Sequence, residues 1–394
     1  MSFLKDRRIV LGITGSIAAY KSPLILRELQ NKGALVRVAI TPYGERFVSK
    51  LALEVLSGNS VYSEVVPESS PEIRHTSLSL WGELLLIAPA TANTIAKIAC
   101  GIADTPVTDL ALCFGRGIVC PAMNVRMYEN LLTQENLKKL KQFGWEIVEP
   151  ESGYLACKEE GKGRLAEIEN IVECAEYWFI PKLLRGKRVV VTAGPTREYI
   201  DPVRFISNPS SGKMGYAIAK VAKGMGADVF LVSGKTCLRP PYGVKKFEVE
   251  TVNEMKDAVL SLVKDADVYI SAAAIGDYTP LKKLREKLKK GEDELILRLR
   301  RTPDILKLVG EKKKRGQIVV GFAAETENLK ENALKKIKTK KLDAIVANNV
   351  KSGVFGGDEN NVLFISSKGE EKAFSGTKEE VAFKILQEIS KLLQ

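Results

Sequence analysis

The stretch that decides the fold class lies near the start of the chain and reads Arg8-Ile9-Val10-Leu11-Gly12-Ile13-Thr14-Gly15-Ser16. Its apolar half is typical of a buried strand, and its small residues form a turn that leads into a helical pattern over 18–32. Strand-like runs return at 35–41, 84–89 and 117–121. Strands that alternate with helices in this order predict a parallel sheet covered by helices on both faces.

The same order begins again near the middle of the chain, at the apolar run Arg188–Ala193. A glycine-containing loop, a helical pattern over 214–225 and a strand at 227–234 follow it, and further strands are predicted at 268–272, 317–321 and 343–347. A chain of 394 residues also exceeds the usual size of one domain. We therefore predict an α/β protein with two tandem doubly wound parallel-sheet (Rossmann-like) domains, 1–186 and 187–394.

The composition is typical of a globular protein and excludes several kinds of site. The N-terminal residues lack the pattern of a signal peptide, and no apolar run reaches the ~18 residues of a membrane span, so we expect a cytoplasmic protein without membrane partners. Six cysteines contain no C-x-x-C pair, which argues against a disulfide framework or a zinc ribbon. The single histidine, His75, excludes sites that need two imidazoles.

The net charge of +12 is concentrated in one stretch. Between Lys282 and Arg315 there are 14 basic and 6 acidic residues, so this stretch alone carries 14 − 6 = +8. It contains no Phe, Tyr or Trp on which the bases of a single strand could stack. The patch therefore favours a polyphosphate ligand over nucleic acid, which we do not expect as a partner.

Small and polar residues follow the strands of the first half, where parallel sheets make their ligand contacts. The turn at Gly15 and Ser16 opens a helix and is compatible with a phosphate site or with a plain tight turn. The other stretches are Pro-Ala-Thr-Ala-Asn-Thr (89–94), Pro-Ala-Met-Asn (121–124) and the glycine-punctuated segment 156–165. Together with His75, these stretches resemble the flavin-dependent cysteine decarboxylases, phosphopantothenoylcysteine decarboxylases in particular, over about residues 1–180.

The resemblance implies an FMN cofactor and assigns roles to individual residues. In that family FMN oxidises the thiol-bearing carbon to a thioaldehyde, which loses carbon dioxide before the flavin reduces the enethiolate. His75 would be the base, Asn124 would hold the substrate carboxylate, and Cys157 would donate a proton. Lys158 and Leu165 depart from the family pattern and make closure of this segment harder to predict. FMN would contact Gly15, Ser16, Thr41, Thr91, Asn93 and Met123.

The second half carries Ser210-Ser211-Gly212-Lys213 just before a predicted helix, which offers hydroxyls, N–H groups and an ammonium to a polyphosphate. It is not a Walker A loop, because Met214 stands where that loop has Ser or Thr. Further blocks lie at 271–278, 286–290, 302–305, 321–326 and 347–349. These blocks resemble the bacterial, CTP-using phosphopantothenate–cysteine ligases over about 187–394.

That resemblance implies an acyl-cytidylate formed from CTP and then attacked by the amine of cysteine. Lys287 would neutralise the phosphates, Asn208 would assist both half-reactions, and Asp277 would help to place the nucleotide and its Mg²⁺. A typical surface lysine is only solvated, so the resemblance alone singles out Lys287, Lys336 and Lys340. The CTP contacts would be Ser210, Ser211, Gly212, Lys213, Ala273, Asp277, Lys287, Pro303, Asp304, Ile305, Phe322, Lys336 and Lys340.

The combined resemblance implies that 4'-phosphopantothenate, L-cysteine and CTP are the substrates and that the chain is a homo-oligomer, a dodecamer built from trimers and dimers. The main alternative is a flavin-binding regulatory protein that has lost catalysis. Three residues in one half, His75, Asn124 and Cys157, argue against that alternative. Gly276, in place of the family's usual alanine, is a small departure beside the nucleotide site.

Overall fold

The computed structural model describes residues 2–65, 74–154, 159–289, 295–325, 329–349 and 357–393. It divides into two units, Ser2–Phe179 and Ile180–Gln394. The division precedes the boundary that we predict after residue 186. The intervening segment belongs to the second unit, because the Leu184 N–H donates to the Met225 carbonyl at 3.0 Å and Lys182 Nζ donates to the Gly224 carbonyl at 2.9 Å.

A five-stranded parallel sheet in the order β2-β1-β3-β4-β5 forms the centre of the first unit. Its strands are β1 (Arg8–Ile13), β2 (Leu35–Ile40), β3 (Leu84–Ala90), β4 (Ile118–Pro121) and β5 (Glu146–Ile147), and an antiparallel hairpin of β6 (Glu151–Tyr154) and β7 (Glu160–Arg164) follows. The helices are α1 (Ser22–Asn31), α2 (Lys50–Ser57), α3 (Arg74–Trp81), α4 (Ala92–Cys100), α5 (Pro106–Phe114), α6 (Val125–Glu129), α7 (Leu131–Gln142) and α8 (Ile168–Phe179).

The central strands of this sheet are apolar throughout because helices cover both of their faces. Val10, Leu85 and Val119 are completely buried. All four strand pairings are parallel, so the carboxyl ends of the strands meet at one edge. The turns after β1, β2, β3 and β4 therefore converge there, as expected for a doubly wound sheet.

The second unit is built on an eight-stranded sheet in the order β12-β11-β8-β13-β16-β17-β18-β19. These strands are β8 (Arg188–Ala193), β11 (Asp228–Ser233), β12 (Lys245–Glu248), β13 (Val268–Ser271), β16 (Ile318–Glu325), β17 (Ala344–Asn349), β18 (Glu359–Ser366) and β19 (Glu371–Thr377). Two small antiparallel pairs stand apart, β9 (Arg197–Tyr199) with β10 (Phe205–Ser207) and β14 (Tyr278–Pro280) with β15 (Leu299–Arg301).

Helices cover both faces of this second sheet. They are α9 (Lys213–Gly224), α10 (Val252–Leu262), α11 (Ile305–Lys312), α12 (Leu329–Lys340) and α13 (Lys378–Leu392). Helices α10, α11 and α12 contribute to one apolar core cluster, whereas α9 packs against α13. The direction of winding reverses between β8 and β13, which is where such sheets bind ligands.

The doubly wound fold class is confirmed, with one difference in the second sheet. Its first six strands are parallel, but β18 and β19 add to the edge in antiparallel orientation. The sequence pattern did not reveal them, because a half-buried edge strand alternates polar and apolar residues and lacks the continuous apolar run of a central strand. Their pairing matters for the site, since the first residues of β18 lie beside the last residues of β17.

Candidate active sites

Backbone and hydroxyl contacts join the first and third turns at the carboxyl edge of the first sheet. The Thr14 hydroxyl donates to the Pro89 carbonyl at 2.8 Å and accepts from the Thr91 N–H at 3.0 Å. Thr91 then caps α4, because its side chain accepts from the N–H of Thr94. This network fixes the edge on which the predicted flavin contacts lie.

The turn at Gly15 and Ser16 is closely packed and capped. Ser16 begins a short 3₁₀ turn, Ile17–Lys21, which leads into α1, and its hydroxyl accepts from the Ala18 N–H at 3.3 Å. A Cβ added to Gly15 would collide with Tyr43, so only glycine fits. Thr41 follows β2 and is buried, and its hydroxyl accepts from the Gly44 N–H at 3.2 Å.

Asn124 follows β4 and is already paired with a carboxylate of the protein. Its Nδ2 donates to Glu159 Oε2 at 2.7 Å, and its Oδ1 accepts from the Arg126 N–H at 2.8 Å. Arg126 Nη2 lies 2.8 Å from Glu159 Oε1. The Glu159 carboxylate thus bridges an amide and a guanidinium, which is an arrangement suited to an anionic ligand group.

The β6–β7 hairpin lies against the same turn. The Met123 N–H donates to the Gly163 carbonyl at 3.0 Å, and a Cβ added to Gly163 would collide with the Met123 carbonyl. Glu149 fastens the hairpin, because it pairs with Lys162 at 2.9 Å and accepts from the Tyr128 hydroxyl at 2.7 Å. Burial tends to raise the pKa of the Glu149 carboxyl. Hydrogen bonds from Lys162, Tyr128 and Lys141 outweigh burial and lower this pKa to about 2.

His75 is half-buried in the first turn of α3. Tyr62 pairs in parallel with Ala39, so the chain returns toward the carboxyl edge before α3 begins. Arg74 fastens the start of this helix, because its Nη1 donates to the Val61 carbonyl at 3.1 Å. The start of α3 is therefore tied to the chain beside the carboxyl end of β2, and His75 is the next residue after Arg74.

Five of the predicted flavin contacts lie just after strand ends at this edge, and Asn93 lies in the first turn of α4. Small residues and polar side chains at the edge fit FMN, whose phosphate would lie on the turn at Gly15 and Ser16 and whose polar atoms would meet Thr91 and Asn93. Cys157 and Lys158 lie outside the described residues. Leu165 is buried.

A cavity of about 770 Å³ opens at the carboxyl edge of the second sheet. It contains the loops that follow β10, β13 and β15, together with residues of α9, α11, β16, β17, β18, α12 and α13. Asn208 and all of the predicted nucleotide contacts except Lys287 line it: Ser210, Ser211, Gly212, Lys213, Ala273, Asp277, Pro303, Asp304, Ile305, Phe322, Lys336 and Lys340.

One end of the cavity combines an aromatic ring with cationic side chains. Phe322 projects from β16, and Lys336 and Lys340 lie one turn apart on α12. Lys340 Nζ lies 2.9 Å from Asp304 Oδ2, and Asp304 also caps α11 by accepting from the Lys307 N–H at 3.0 Å. A base that stacks on an aromatic ring, with polar groups at its rim, would suit this end.

A glycine-containing turn at the start of α9 lines the middle of the cavity. Gly212 has φ of 76°, in the left-handed region that favours glycine. A Cβ added to Gly215 would come 2.5 Å from the Cβ of Ala193, so α9 can approach β8 only with glycine at this position. The N–H groups of the first turn of α9 therefore face a position where a phosphate could lie.

The other end of the cavity brings together residues that are far apart in the chain. Lys213 Nζ lies 2.6 Å from Asp358 Oδ1, and the Lys378 N–H donates to the Asp358 carbonyl at 2.9 Å. Asn360 is 4% exposed and Lys378 is 8% exposed, and both line the cavity. Sequence reasoning did not include Asn360 or Lys378 among the site residues.

Two side chains on the cavity wall, Asp277 and Asn348, carry oxygen atoms of the kind that magnesium binds. Asp277 is exposed, and Asn348 Oδ1 is buried without a hydrogen-bond partner among the described residues. Magnesium takes one or two protein oxygens and completes its shell with substrate phosphates and water. When bound, it would neutralise charge on the phosphates, with Asp277 and Asn348 as candidate ligands.

Lys287 is exposed and is not part of the cavity lining. Its neighbour Leu288 is fixed by Asp201 and Arg204, because Asp201 Oδ2 accepts from the Leu288 N–H at 3.1 Å and Arg204 Nη1 donates to the Leu288 carbonyl at 3.0 Å. Burial tends to raise the pKa of the Asp201 carboxyl, but hydrogen bonds from backbone N–H groups outweigh burial and lower it. These N–H groups belong to Val203, Arg204 and Leu288. This ionised carboxylate therefore holds the backbone next to Lys287.

In the part of the chain that the structure describes, none of the helices has the length and apolarity needed to span a membrane.

Two family models match the chain, and together they cover most of it. The model described as "Flavoprotein" matches residues 2–179, and the model described as "DNA/pantothenate metabolism flavoprotein C-terminal domain" matches residues 184–393.

Curated relatives match over nearly their full length. The coenzyme A biosynthesis bifunctional protein CoaBC of Bacillus subtilis (strain 168) is 45% identical over 398 residues, which cover 99% of this chain and 98% of the relative. The protein of the same name from Escherichia coli (strain K12) is 40% identical over 390 residues, with 97% and 96% covered. A crystal structure of the C-terminal domain of a CoaBC protein is 45% identical, covers 54% of this chain and 98% of its own, and has a TM-score of 0.47.

Proposed function

The chain belongs to the family of bifunctional coenzyme A biosynthesis proteins, and from this premise we propose that it is both a ligase and a decarboxylase. The second unit joins 4'-phosphopantothenate to cysteine at the expense of CTP. The first unit, with FMN, decarboxylates the product to 4'-phosphopantetheine. The observation that carries the proposal is full-length similarity combined with a cavity in the second unit that contains twelve of the thirteen predicted nucleotide contacts.

Ligation proceeds in two displacements. A carboxylate oxygen of the acid attacks the α-phosphorus of CTP, the bond to the β-phosphate oxygen breaks, and pyrophosphate leaves with the electron pair. The cysteine amine then attacks the acyl carbon and CMP leaves. Negative charge accumulates on the phosphates, so fixed N–H groups and cations at the cavity wall supply most of the catalysis.

We assign this charge stabilisation to Asn208 and the turn 210–213, which line the cavity. Asn208 Nδ2 donates to the Ile275 carbonyl at 3.1 Å, which links the loop after β10 to the loop after β13. The Thr302 hydroxyl donates to the Gly276 carbonyl at 2.6 Å, and its N–H donates to the Asp277 carbonyl at 3.0 Å. These bonds join three loops, so the donors keep their positions when charge develops.

Decarboxylation needs a base, a group that holds the carboxylate and a proton donor, for which we propose His75, Asn124 and Cys157. FMN, when bound, supplies the oxidation of the thiol-bearing carbon and the later reduction. His75 takes a proton during thiol oxidation, which an imidazole can do near neutral pH. Asn124 orients the carboxylate that leaves as carbon dioxide, provided that Glu159 moves away from the amide.

We also propose that the enzyme uses magnesium, works in the cytoplasm and assembles as a homo-oligomer of trimers and dimers. The magnesium proposal rests on Asp277 and Asn348 in the cavity wall. The assembly proposal rests on the resemblance to the family, whose first half forms trimers and whose second half forms dimers. Sedimentation of the full chain would test it, and a monomer at working concentration would contradict it.

The nucleotide choice is tested by measuring pyrophosphate release and product formation with CTP and with ATP under the same conditions. We expect the full chain to use CTP at least tenfold more efficiently. Equal turnover with ATP would contradict a cytidine-specific pocket. Purified protein should also bind FMN and become yellow, and failure to take up flavin would contradict the assignment of the first unit.

A further inference from the structure

The cavity of the second unit extends beyond the turn 210–213 to Asn360 and Lys378, which are not among the predicted nucleotide contacts. Phe322, Lys336 and Lys340 lie at the end formed with α11 and α12. Lys213, Asn360 and Lys378 lie at the end formed by α9, α13 and β18. The cavity therefore crosses the carboxyl edge from one face of the sheet to the other.

The far end concentrates positive charge. Helices α9 and α13 pack side by side, and each begins at the cavity with a lysine, Lys213 and Lys378. The N-terminus of a helix carries partial positive charge, so two neighbouring helix starts and two ammonium groups favour an anion with more than one charge. Burial, and then the nearby charge of Lys213, lower the pKa of Lys378, so an anion between them would relieve an unfavourable contact.

One buried side chain at this end has only a weak acceptor for its N–H group within the protein. Asn360, which is 4% exposed, donates from Nδ2 only to the thioether sulfur of Met214, at 3.6 Å, among the contacts described. A thioether is a weak acceptor, so this N–H group would gain from a phosphate oxygen.

We propose that Lys213, Asn360 and Lys378 form the subsite that holds the two terminal phosphates of the nucleoside triphosphate and the pyrophosphate that leaves. The inference rests on the proposed function and extends it to Asn360 and Lys378, which were not predicted from the sequence. A triphosphate with its base beside Phe322 passes the turn 210–213 and ends between the starts of α9 and α13. In-line attack on the α-phosphorus pushes the leaving group toward this end.

The carboxylate of Asp358 already pairs with one cation of this subsite, Lys213. The two groups lie 2.6 Å apart, yet the Asp358 side chain is 86% exposed. An arriving polyphosphate would compete with Asp358 for Lys213, because both are anions. Asp358 therefore reduces affinity for the terminal phosphates and favours release of pyrophosphate.

The test compares dissociation constants of CTP, CMP and pyrophosphate for the full chain and its variants by titration calorimetry with magnesium present. CMP lacks the two terminal phosphates and serves as the internal reference. In Lys378→Met we expect CTP and pyrophosphate to bind at least tenfold more weakly, with CMP within twofold of wild type. Lys384→Met, which removes an exposed lysine on the same helix, is the matched control and should change none of the three.

Lys378 also donates to the Glu359 carbonyl at 3.3 Å and to the Gly357 carbonyl, so its loss could disturb the fold. Asp358→Asn avoids this problem, because the exposed carboxylate is replaced by an isosteric amide. We expect it to tighten CTP and pyrophosphate binding about threefold and to leave CMP unchanged.

Two outcomes would overturn the subsite, and a third would overturn the competition by Asp358. Equal weakening of CTP and CMP in Lys378→Met would indicate a structural role alone. An unchanged CTP affinity with a raised KM for 4'-phosphopantothenate would assign this end to the phosphate of the acid. Unchanged CTP and pyrophosphate affinities in Asp358→Asn would show that Asp358 does not compete with the terminal phosphates for Lys213. Failure of the wild-type chain to bind CTP would instead contradict the proposed function itself.

Discussion

The carboxyl edges of the two sheets are built alike but differ in how their site residues are held. At the first edge, the predicted flavin contacts follow four strand ends or begin α4; Thr91 bonds to Thr14 in the turn after β1, and Met123 bonds to Gly163 of the β6–β7 hairpin. At the second edge, the predicted residues surround a cavity of about 770 Å³. The second edge therefore presents a cavity lined by residues of one unit, whereas at the first edge the β6–β7 hairpin lies against the turn after β4.

Both edges share one feature, which is a carboxylate of the protein paired with the groups expected to bind an anion. Glu159 accepts a hydrogen bond from the Asn124 amide and forms an ion pair with the Arg126 guanidinium. Asp358 forms an ion pair with Lys213, and Asp304 forms an ion pair with Lys340. These internal anions keep the donors ordered before the ligand arrives, at the cost of competing with it.

The largest effect is expected at the turn that shapes the second edge. In Gly212→Ala, the added Cβ would come 2.8 Å from Thr236 Cγ2 and would also strain a φ of 76°. Because a shift of about 1 Å at a binding turn costs on the order of 100-fold in rate, we expect pyrophosphate release from CTP to fall by about that factor. Carbon dioxide release should stay normal.

Gly316→Ala is the matched control for this substitution. Gly316 has φ of 83°, but a Cβ there would meet nothing within 4 Å. It should cost about 1 kcal/mol of unfolding free energy from the backbone alone and leave pyrophosphate release intact. Equal loss of activity in both variants would show that backbone strain, and not the shape of the cavity, is responsible.

An intermediate effect is expected at the first edge, where Glu159 competes for Asn124. Removing its charge in Glu159→Gln should lower the KM for phosphopantothenoylcysteine by roughly three- to tenfold, since one exposed charge pair is worth about 1 kcal/mol. The neighbouring exposed residue gives the control, Glu160→Gln, which should leave KM unchanged. A fall in kcat with unchanged KM would show that Glu159 positions Asn124 and does not compete with the substrate.

The smallest effect is expected for the hairpin anchor. Glu149→Gln should lower the free energy of unfolding of the first unit by roughly 0.5–1 kcal/mol at pH 7, because Glu149 is partly exposed. Its pKa is lowered from 4.5 to about 2, so its stabilisation is present above pH ~4.5 and is lost as the pH falls through about 2. Denaturant unfolding at both pH values measures this, and a difference that persists below pH 2 would contradict the assignment.

The two sheets and their carboxyl edges could be predicted from the sequence, because parallel strands are continuous apolar runs that end in glycine-containing turns. The runs at Arg8 and Arg188 located both sheets, and the residues that follow their strands fell at the carboxyl edges. The Thr377 and Glu380 pair, which forms a capping box, was a usable signal for the start of α13. Nothing in the local pattern could bring Lys378 to Lys213, however, because that contact depends on β17 and β18 pairing in antiparallel register.

The first edge was harder to predict for a different reason. Asn124 and Glu159 are brought together by the hairpin, whose position depends on Gly163 lying against the Met123 carbonyl. Such a contact joins two loops and leaves no periodic trace in the sequence. The role predicted for Cys157, which lies outside the described residues, stays a prediction.

The central claim is that one chain carries two independent reactions, one on each edge, and His75→Asn tests it most directly. Carbon dioxide release from phosphopantothenoylcysteine and pyrophosphate release from CTP are measured on the same preparation of the full chain. We predict that carbon dioxide release falls by about 100-fold or more, as expected for loss of a general base, while pyrophosphate release remains within twofold of wild type. Loss of both activities, or retention of carbon dioxide release, would contradict the account.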